Sequence, residues 1–127
     1  MSHPPLVLAS ASPRRRQLLT QLGVRFELAP ADINEDMHPG ESAEVYVKRL
    51  AEAKARAVSS AYPEHLIIAA DTTVVLDDEI LGKPQTLQEK HDFISRLTGR
   101  IHRVSTGYAL LWHEQCAVTE LSTQVRF

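Results

Sequence analysis

Two short apolar runs that lead directly into polar clusters constrain the fold of this chain most strongly. Residues 6–9 are followed by Ser-Ala-Ser-Pro-Arg-Arg-Arg at 10–16, and residues 66–70 are followed by Asp71-Thr72. Such runs are typical of buried strands. Because helical patterns lie between them, the sequence predicts an α/β fold with a mixed, partly parallel central sheet flanked by helices. Ligands bind beyond the carboxyl ends of such strands, so we expect a site where the two polar clusters meet.

The rest of the chain predicts further elements around these two strands. Helices are predicted at 13–22, at about 42–61 and at 86–99. Strands are predicted at 24–29, 73–76 and 80–81, and twice within 101–127, where the two strands join near 113–115. Leu18, Leu19 and Leu22 are expected to form the buried face of the first helix. Thr86 opens the third helix with a capping box, because Glu89 lies three residues on.

Composition and charge exclude several classes of protein. A chain of 127 residues that is 43% hydrophobic and 24% charged predicts one soluble domain, residues 1–127. The net charge of −2 argues against non-specific nucleic-acid binding, and the single cysteine, Cys116, excludes an internal disulfide and a cysteine-based zinc site. No apolar stretch approaches the roughly 20 residues that cross a bilayer, and the N-terminus does not resemble a signal peptide. We therefore expect a cytoplasmic protein with neither a nucleic acid nor a membrane as partner.

The polar cluster at 10–16 has the composition of a polyphosphate site. Its hydroxyl and guanidinium groups belong to Ser10, Ser12, Arg14, Arg15 and Arg16. A helix that begins inside the cluster adds free backbone N–H groups, and these groups and arginine forks both bind phosphate oxygens. A solvated basic turn has the same residue types, so the cluster alone leaves both interpretations open. The second polar cluster, at the same edge of the predicted sheet, favours the phosphate site.

Lys54 lies within an apolar stripe of the second predicted helix. Val47, Leu50, Ala57 and Val58 share its face at a spacing of 3.6 residues. A lysine in such a stripe costs free energy unless its ammonium meets an anion, which favours a functional lysine. The alternative is a side chain that extends to the rim of the stripe, as long side chains often do.

Three further residues supply candidate chemistry. Asp71 directly follows a predicted strand, where a carboxylate can bind a metal or activate a water. The alternative interpretation is an aspartate that caps a turn. Lys83, in Gly82-Lys83-Pro84, is placed to present an ammonium to a phosphate, although any exposed lysine would look the same. Glu35, in an acidic loop at 30–40, would complete a magnesium site with Asp71, although solvated loop acids are more common.

The absence of two nucleotide-binding motifs from the sequence excludes two classes of enzyme. The sequence has no glycine-rich P-loop and no G-x-G-x-x-G, so neither a kinase nor a Rossmann dehydrogenase is expected. The six histidines lack the close spacing of metal ligands and are interpreted as structural or surface residues. Cations for a polyphosphate, with carboxylates for a metal and a water, are the groups that hydrolysis of a nucleotide between its phosphates requires.

Several motifs in register resemble the Maf family of nucleotide pyrophosphatases. Residues 10–15 match its S-x-S-P-R-R signature, and the resemblance extends over 6–127. The other matching motifs are Glu35, Arg49-Leu50-Ala51 with Lys54-Ala55, Ala70-Asp71-Thr72, Leu81-Gly82-Lys83-Pro84, Leu97-Thr98-Gly99 with His102, and Thr106-Gly107. The resemblance implies a fold related to the inosine-triphosphate pyrophosphatases. It also implies hydrolysis of nucleoside triphosphates to the monophosphate and pyrophosphate with a divalent metal, Mg²⁺ or Mn²⁺.

Within that family, Arg14 and Asp71-Thr72 look like the branch that acts on dTTP and UTP. The branch that acts on 7-methyl-GTP tends to carry a bulky aromatic residue at the first position and Asp-Gln at the second. The resemblance implies that Asp71 accepts a proton, that Arg14 and Thr72 select the base, that Lys54 and Lys83 hold phosphates, and that Glu35 supports the metal. A homodimer is implied in the same way.

The resemblance also implies more chain than these 127 residues. Leu121, Thr123, Val125 and Phe127 form one apolar strand face, whereas family members continue through a Gly-Ala-Tyr-Gly-Ile-Gln-Gly-like segment that completes the nucleotide pocket. We therefore expect a domain that is C-terminally incomplete relative to the family, with another element or subunit against that face. Three hypotheses stand: a pyrophosphatase, a nucleotide-binding module or division-linked interaction protein with little or no catalysis, and a fragment that does neither.

Overall fold

The computed structural model of the chain describes residues 5–9, 13–77, 79–81 and 86–126. Its strands are β1 (Leu6–Leu8), β2 (Phe26–Leu28), β3 (Leu66–Leu76), β4 (Glu79–Leu81), β5 (Ile101–Trp112) and β6 (Gln115–Arg126). Its helices are α1 (Pro13–Gln21), α2 (Ala43–Ser59) and α3 (Leu87–Leu97). These bounds confirm the three predicted helices and the predicted pair of strands at the end of the sequence. None of the described helices is long and apolar enough to cross a bilayer.

The six described strands form one sheet. Strands β2, β1, β3, β5 and β6 are neighbours in that order, and β4 pairs with β3 outside this path. The β2–β1 and β1–β3 pairs are parallel, whereas β3 is antiparallel to β4 and to β5, and β5 is antiparallel to β6. The predicted mixed, partly parallel sheet is therefore confirmed.

The edge of β3 that faces β1 has a gap at residues 69–73. Strand β1 pairs with β3 as far as Leu8 and Ile68, and the N–H of Ala9 donates to the carbonyl of Ile68 at 2.8 Å. Strand β4 begins to pair with the same edge at Val74. Within the part of the chain that the structure describes, no strand pairs with the edge between these two points, whereas β5 pairs with the opposite edge throughout. We call this stretch of the β3 edge, residues 69–73 beyond the carboxyl end of β1, the notch.

One face of the sheet packs against α2. The apolar cluster between them includes Ala51, Ala55 and Val58 from α2. Its strand members are Val7, Ile67, Ala69, Ala109 and Leu111. A Cβ atom at Gly107 of β5 would lie 2.3 Å from the backbone oxygen of Val47, so only glycine permits this helix to lie so close to the sheet.

The buried stripe of α2 differs from the prediction at one position. Val47, Leu50 and Val58 are buried as predicted, but Ala57 is exposed. The alanines of α2 that pack in the core are Ala51 and Ala55. The buried stripe is therefore rotated about the helix axis, away from position 57. This rotation places Lys54 on the flank of the stripe, one turn from both Leu50 and Val58.

Helix α1 contributes less to the core than its leucines predict. Leu19 is half-buried, but Leu18 is 57% exposed and Leu22 is 69% exposed. The expected three-leucine face is therefore wrong. Spacing identifies side chains that share a face, but burial also needs a second element against that face. None of the described elements covers Leu18 or Leu22.

Strand β3 runs without interruption through Asp71, where the sequence predicts a strand end. Asp71 is paired with Gly107 and Thr72 with Thr106 of β5. Aspartate is depleted in strand interiors because its charge is poorly accommodated there. In β3 the charge is compensated by a cation from α2, described below, so the strand continues. Asp71 nevertheless lies beyond the carboxyl end of β1, which is the position that the fold class predicts for a ligand site.

The alternation predicted near the end of the chain is present in β6 as far as Arg126, and Phe127 lies outside the described residues. Glu120 and Ser122 face the same side as α2, where both contact each other and Glu120 also accepts a hydrogen bond from Ser105. Leu121 points to the opposite side and is exposed, as are Tyr108 and Leu110 of β5. None of the described elements covers these three side chains, whereas His102, further along the same side of β5, is buried.

Candidate active site

The candidate site lies at the notch in the edge of β3 and has two halves. Successive side chains of a strand point to opposite faces, so Asp71 faces α2 and Thr72 faces away from it. We call the first half the carboxylate half-site and the second the hydroxyl half-site. The carboxylate half-site consists of Glu35, Lys54 and Asp71, and the hydroxyl half-site consists of Arg15, Thr72 and Thr106.

Lys54 joins the two acidic side chains of the carboxylate half-site. Its Nζ lies 2.7 Å from Oδ1 of Asp71 and 3.8 Å from Oε1 of Glu35. The lysine side chain is only 14% exposed, and Asp71 is buried. The ammonium therefore meets an anion at the flank of the apolar stripe, and it does not extend into solvent. An ammonium has three donors, so Lys54 keeps donor capacity beyond its bond to Asp71.

Glu35 reaches this half-site from a loop without regular secondary structure that is tied to α2. The hydroxyl of Tyr46 donates to the backbone carbonyl of Glu35. Arg49 Nη2 donates to the backbone carbonyl of Asp36 at 2.9 Å, and Arg49 Nε donates to Oε2 of Glu41 at 2.6 Å. Two residues from the first half of α2 therefore hold the backbone on which Glu35 is carried.

The electrostatics of these contacts follow from burial and charge. The hydrogen bond from Arg49 lowers the pKa of Glu41 to about 2, so this carboxylate is ionised at neutral pH. Burial raises the pKa of Tyr46, and the negative charges of Asp71 and Glu35 raise it further. Tyr46 therefore stays protonated and keeps its hydrogen to donate.

The hydroxyl half-site connects α1 to β3 and β5 on the opposite face of the sheet. Arg15 Nη2 donates to Oγ1 of Thr72 at 2.6 Å, and Oγ1 of Thr72 lies 3.0 Å from Oγ1 of Thr106. Because arginine can only donate, Thr72 accepts from it. The guanidinium and the two hydroxyls form a polar patch beside the notch.

The structure brings together some of the predicted site residues and leaves others apart. Lys54, Asp71 and Glu35 meet in one half-site, and Arg15 and Thr72 meet in the other. Arg14 is exposed on α1. Ser10, Ser12 and Lys83 lie outside the described residues.

Sequence reasoning missed the residues that support Glu35. The sequence patterns do not single out Tyr46 or Glu41, and Arg49 appears only within a family motif, as does Thr106 of the hydroxyl half-site. A signal for Arg49 and Tyr46 was present, because positions three apart on a helix share a face. No local pattern shows that this face meets a loop that lies earlier in the chain.

Among the described residues no group of three or more histidine, cysteine, aspartate or glutamate side chains is placed to hold a metal ion. Asp71 and Glu35 are, however, two carboxylates that approach one cation, Lys54. One or two carboxylates together with substrate phosphates are the usual ligands of Mg²⁺ in nucleotide enzymes. The donor set of the carboxylate half-site therefore fits a divalent metal that binds with a nucleotide.

Solved structures with the same fold place the chain in a class. A Ham1 protein from Staphylococcus aureus superposes with a TM-score of 0.63 at 14% identity, over 96% of this chain and 71% of that protein. A HAM1 protein from Coxiella burnetii gives a TM-score of 0.62 at 18% identity, over 98% of this chain and 73% of that protein. The chain thus shares the α/β fold of these two proteins, which defines its fold class.

Within that class the family can be stated. The family model described as Maf-like protein matches residues 5–127, and the chain belongs to the Maf family. A dTTP/UTP pyrophosphatase of Myxococcus xanthus (strain DK1622) is 53% identical over 123 residues, which are 96% of this chain and 62% of the relative. A dTTP/UTP pyrophosphatase of Hahella chejuensis (strain KCTC 2396) is 46% identical over 125 residues, again 96% of this chain and 62% of the relative. The chain therefore spans about three fifths of the length of these relatives.

Proposed function

We propose that this chain hydrolyses dTTP and UTP to the nucleoside monophosphate and pyrophosphate. The observation that carries the proposal is the carboxylate half-site, in which the Lys54 ammonium lies between the carboxylates of Asp71 and Glu35 beside the notch. A cation for phosphate oxygens next to a buried carboxylate is what hydrolysis of a phosphoanhydride requires. The names of the two relatives supply the substrates.

In the proposed reaction Asp71 accepts the proton of the attacking water. Lys54 fixes Oδ1 of Asp71, and the second carboxylate oxygen, Oδ2, would accept the proton. The water oxygen forms a bond to the α-phosphorus of the nucleotide. At the same time the bond between this phosphorus and the oxygen that bridges the α- and β-phosphates breaks. The pyrophosphate leaves with the negative charge, which the remaining donors of Lys54 stabilise.

Glu35 and Asp71 would hold a divalent metal, Mg²⁺ or Mn²⁺, together with phosphate oxygens of the substrate. When bound, such an ion neutralises part of the phosphate charge. Both carboxylates also lie near the Lys54 ammonium. A divalent metal would therefore compete with this ammonium for them, whether or not a nucleotide is bound. Glu35, with 48% of its side chain exposed, has the more accessible carboxylate of the two.

The hydroxyl half-site is assigned to the nucleoside and to the phosphates nearest to it. Arg15 and Thr72 contact each other there, and Thr106 extends the polar patch. In the same proposal Arg14 and Thr72 select the base, Ser10 and Ser12 bind substrate, and Lys83 holds a phosphate. These assignments of Arg14, Ser10, Ser12 and Lys83 rest on the family motifs.

The proposal also covers the localisation, the partners and the oligomeric state of the protein. Free nucleotides as substrates, with a net charge of −2, suit a cytoplasmic enzyme that uses neither a nucleic acid nor a membrane as partner. A homodimer would cover the exposed apolar side of the β5–β6 hairpin, where Leu110 and Leu121 lie.

The first test is a panel of nucleotides with Mg²⁺. We expect release of pyrophosphate to be at least about tenfold faster from dTTP and UTP than from CTP, GTP or 7-methyl-GTP, a ratio that one set of pocket contacts commonly provides. The rates are measured on the purified chain with a coupled pyrophosphate assay. Preference for 7-methyl-GTP would contradict the assigned branch. Saturable dTTP binding without turnover would contradict the enzyme and favour a nucleotide-binding module.

A further inference from the structure

Two side chains of α2, Tyr46 and Arg49, hold the backbone of the loop that carries Glu35. We propose that Arg49 and Tyr46 are positioning residues that hold the Glu35 carboxylate beside Lys54 and Asp71 and thereby set the affinity of the site for a divalent cation. The inference rests on the proposed function in one respect, since it takes Glu35 and Asp71 as the metal ligands.

An ion pair between Arg49 and Glu41 fixes the junction between this loop and α2. Two hydrogen bonds join the side chains, Nε to Oε2 at 2.6 Å and Nη2 to Oε1 at 2.9 Å. The Glu41 side chain is only 5% exposed, and it also accepts a hydrogen bond from the N–H of His38 at 3.0 Å. Planar, two-point arginine–carboxylate pairs are strong and directional. The turn that leads from the loop into α2 is therefore held in one geometry.

The same guanidinium reaches the backbone next to Glu35. Arg49 Nη2 donates to the carbonyl of Asp36 at 2.9 Å, and the Tyr46 hydroxyl donates to the carbonyl of Glu35 itself. The guanidinium carbon of Arg49 also lies 5.6 Å from the centre of the Tyr46 ring, within the range of a cation–π contact. Two successive carbonyls of the loop are thus bound by two side chains that contact each other.

Glu35 depends on these backbone contacts because its side chain is weakly held. Its carboxylate is about half exposed, and its Oε1 lies 3.8 Å from Lys54 Nζ, which is too long for a hydrogen bond. Loops without regular structure sample many conformations unless their backbone is fixed. Releasing the two carbonyls would leave the Glu35 carboxylate near the site for only part of the time.

The test uses Mn²⁺ binding to the nucleotide-free chain, measured by electron paramagnetic resonance of the unbound ion. Arg49→Met keeps an unbranched side chain as far as the position of Nε but removes the guanidinium and its contacts with Glu41 and with the Asp36 carbonyl. Tyr46→Phe removes only the hydroxyl. We expect the dissociation constant for Mn²⁺ to rise about tenfold in Arg49→Met, as is usual when a group that orients a metal ligand is removed, and to rise less in Tyr46→Phe. Arg56→Met is the matched control, because Arg56 pairs with Glu52 at 2.8 Å on the same helix and is exposed.

A double-mutant cycle separates positioning from general stability. If Arg49 acts through Glu35, Arg49→Met weakens Mn²⁺ binding in the wild-type background but has little further effect when Glu35→Gln is already present. Equal weakening in both backgrounds would show a merely structural role and overturn the inference. Unchanged Mn²⁺ affinity in Glu35→Gln would overturn it too, because Glu35 would then not be a ligand. A chain that shows the expected coupling but hydrolyses no nucleotide would retain the inference and contradict the proposed function.

Discussion

Replacing Asp71 by asparagine is expected to lower kcat for dTTP hydrolysis about a thousandfold, the effect typical of removing a general base. The amide has nearly the same shape as the carboxylate, but it does not accept a proton from water at neutral pH. It also leaves the Lys54 ammonium, whose Nζ lies 2.7 Å from Oδ1 of Asp71, without its buried anionic partner. Loss of one partner of a buried ion pair destabilises the fold by about 3 kcal/mol, so a lower melting temperature is expected as well.

The measurement is the initial rate of pyrophosphate release at saturating dTTP and Mg²⁺, with circular dichroism to show that the variant is folded at the assay temperature. Asp92→Asn is the matched control, since Asp92 is exposed on α3, where it accepts a hydrogen bond from the Gln88 side chain at 3.2 Å. The control should keep its rate. If folded Asp71→Asn retains a rate within tenfold of the wild type, Asp71 is not the proton acceptor.

Gly107→Ala is expected to cost about 3 kcal/mol of folding free energy, at the upper end of the usual effect of overpacking. The added Cβ would lie 2.3 Å from the oxygen and 2.4 Å from the carbon of the Val47 carbonyl, and both are backbone atoms that no side-chain rotation can move away. Helix α2 would have to shift from the sheet. Gly107 is directly paired with Asp71, so this shift would also separate Lys54 from Asp71 and lower the rate of dTTP hydrolysis.

Urea denaturation gives the change in the free energy of unfolding. Gly40→Ala is an informative comparison, because Gly40 has a φ of 74° but the described residues beyond its chain neighbours place no atom within 4 Å of the added Cβ. Its expected loss is about 1 kcal/mol, from the left-handed backbone alone. A Gly107→Ala variant that is as stable as Gly40→Ala would show that α2 does not approach β5 as closely as described.

Elements with strong local signals were predictable from the sequence. The N–H of Glu89 donates to Oγ1 of Thr86 at 3.0 Å and the N–H of Thr86 donates back to the Glu89 carboxylate, so the predicted capping box is confirmed. The hairpin turn near 113–115 is confirmed as well, with His113 at a φ of 54°. These features depend only on residues that are close in the sequence.

Features that depend on distant contacts were not predictable in the same way. Asp71 lies inside a strand because Lys54, from an earlier helix, compensates its charge, and no local pattern contains that contact. The division of the site into two halves follows from strand alternation only once β3 is known to continue through Asp71 and Thr72. The exposed Leu18 and Leu22 show the same limit, since spacing gives a shared face but not the element that covers it.

The reactive groups of the candidate site could be predicted from the sequence, but the residues that hold them in position could not. Residue type and family motifs selected Lys54, Asp71 and Glu35, which the structure places together. Tyr46 and Arg49 hold the Glu35 loop through backbone carbonyls, and a sequence does not show which carbonyls a side chain will reach.

The most direct test of the central claim is the identity of the products formed from dTTP. After incubation of the purified chain with dTTP and Mg²⁺, the quenched reaction is separated by ion-exchange chromatography and both products are quantified. Hydrolysis at the carboxylate half-site as proposed gives dTMP and pyrophosphate in equal amounts, and both are lost in Asp71→Asn. Formation of dTDP and orthophosphate, or of dTMP and pyrophosphate at an equal rate in Asp71→Asn, would contradict it.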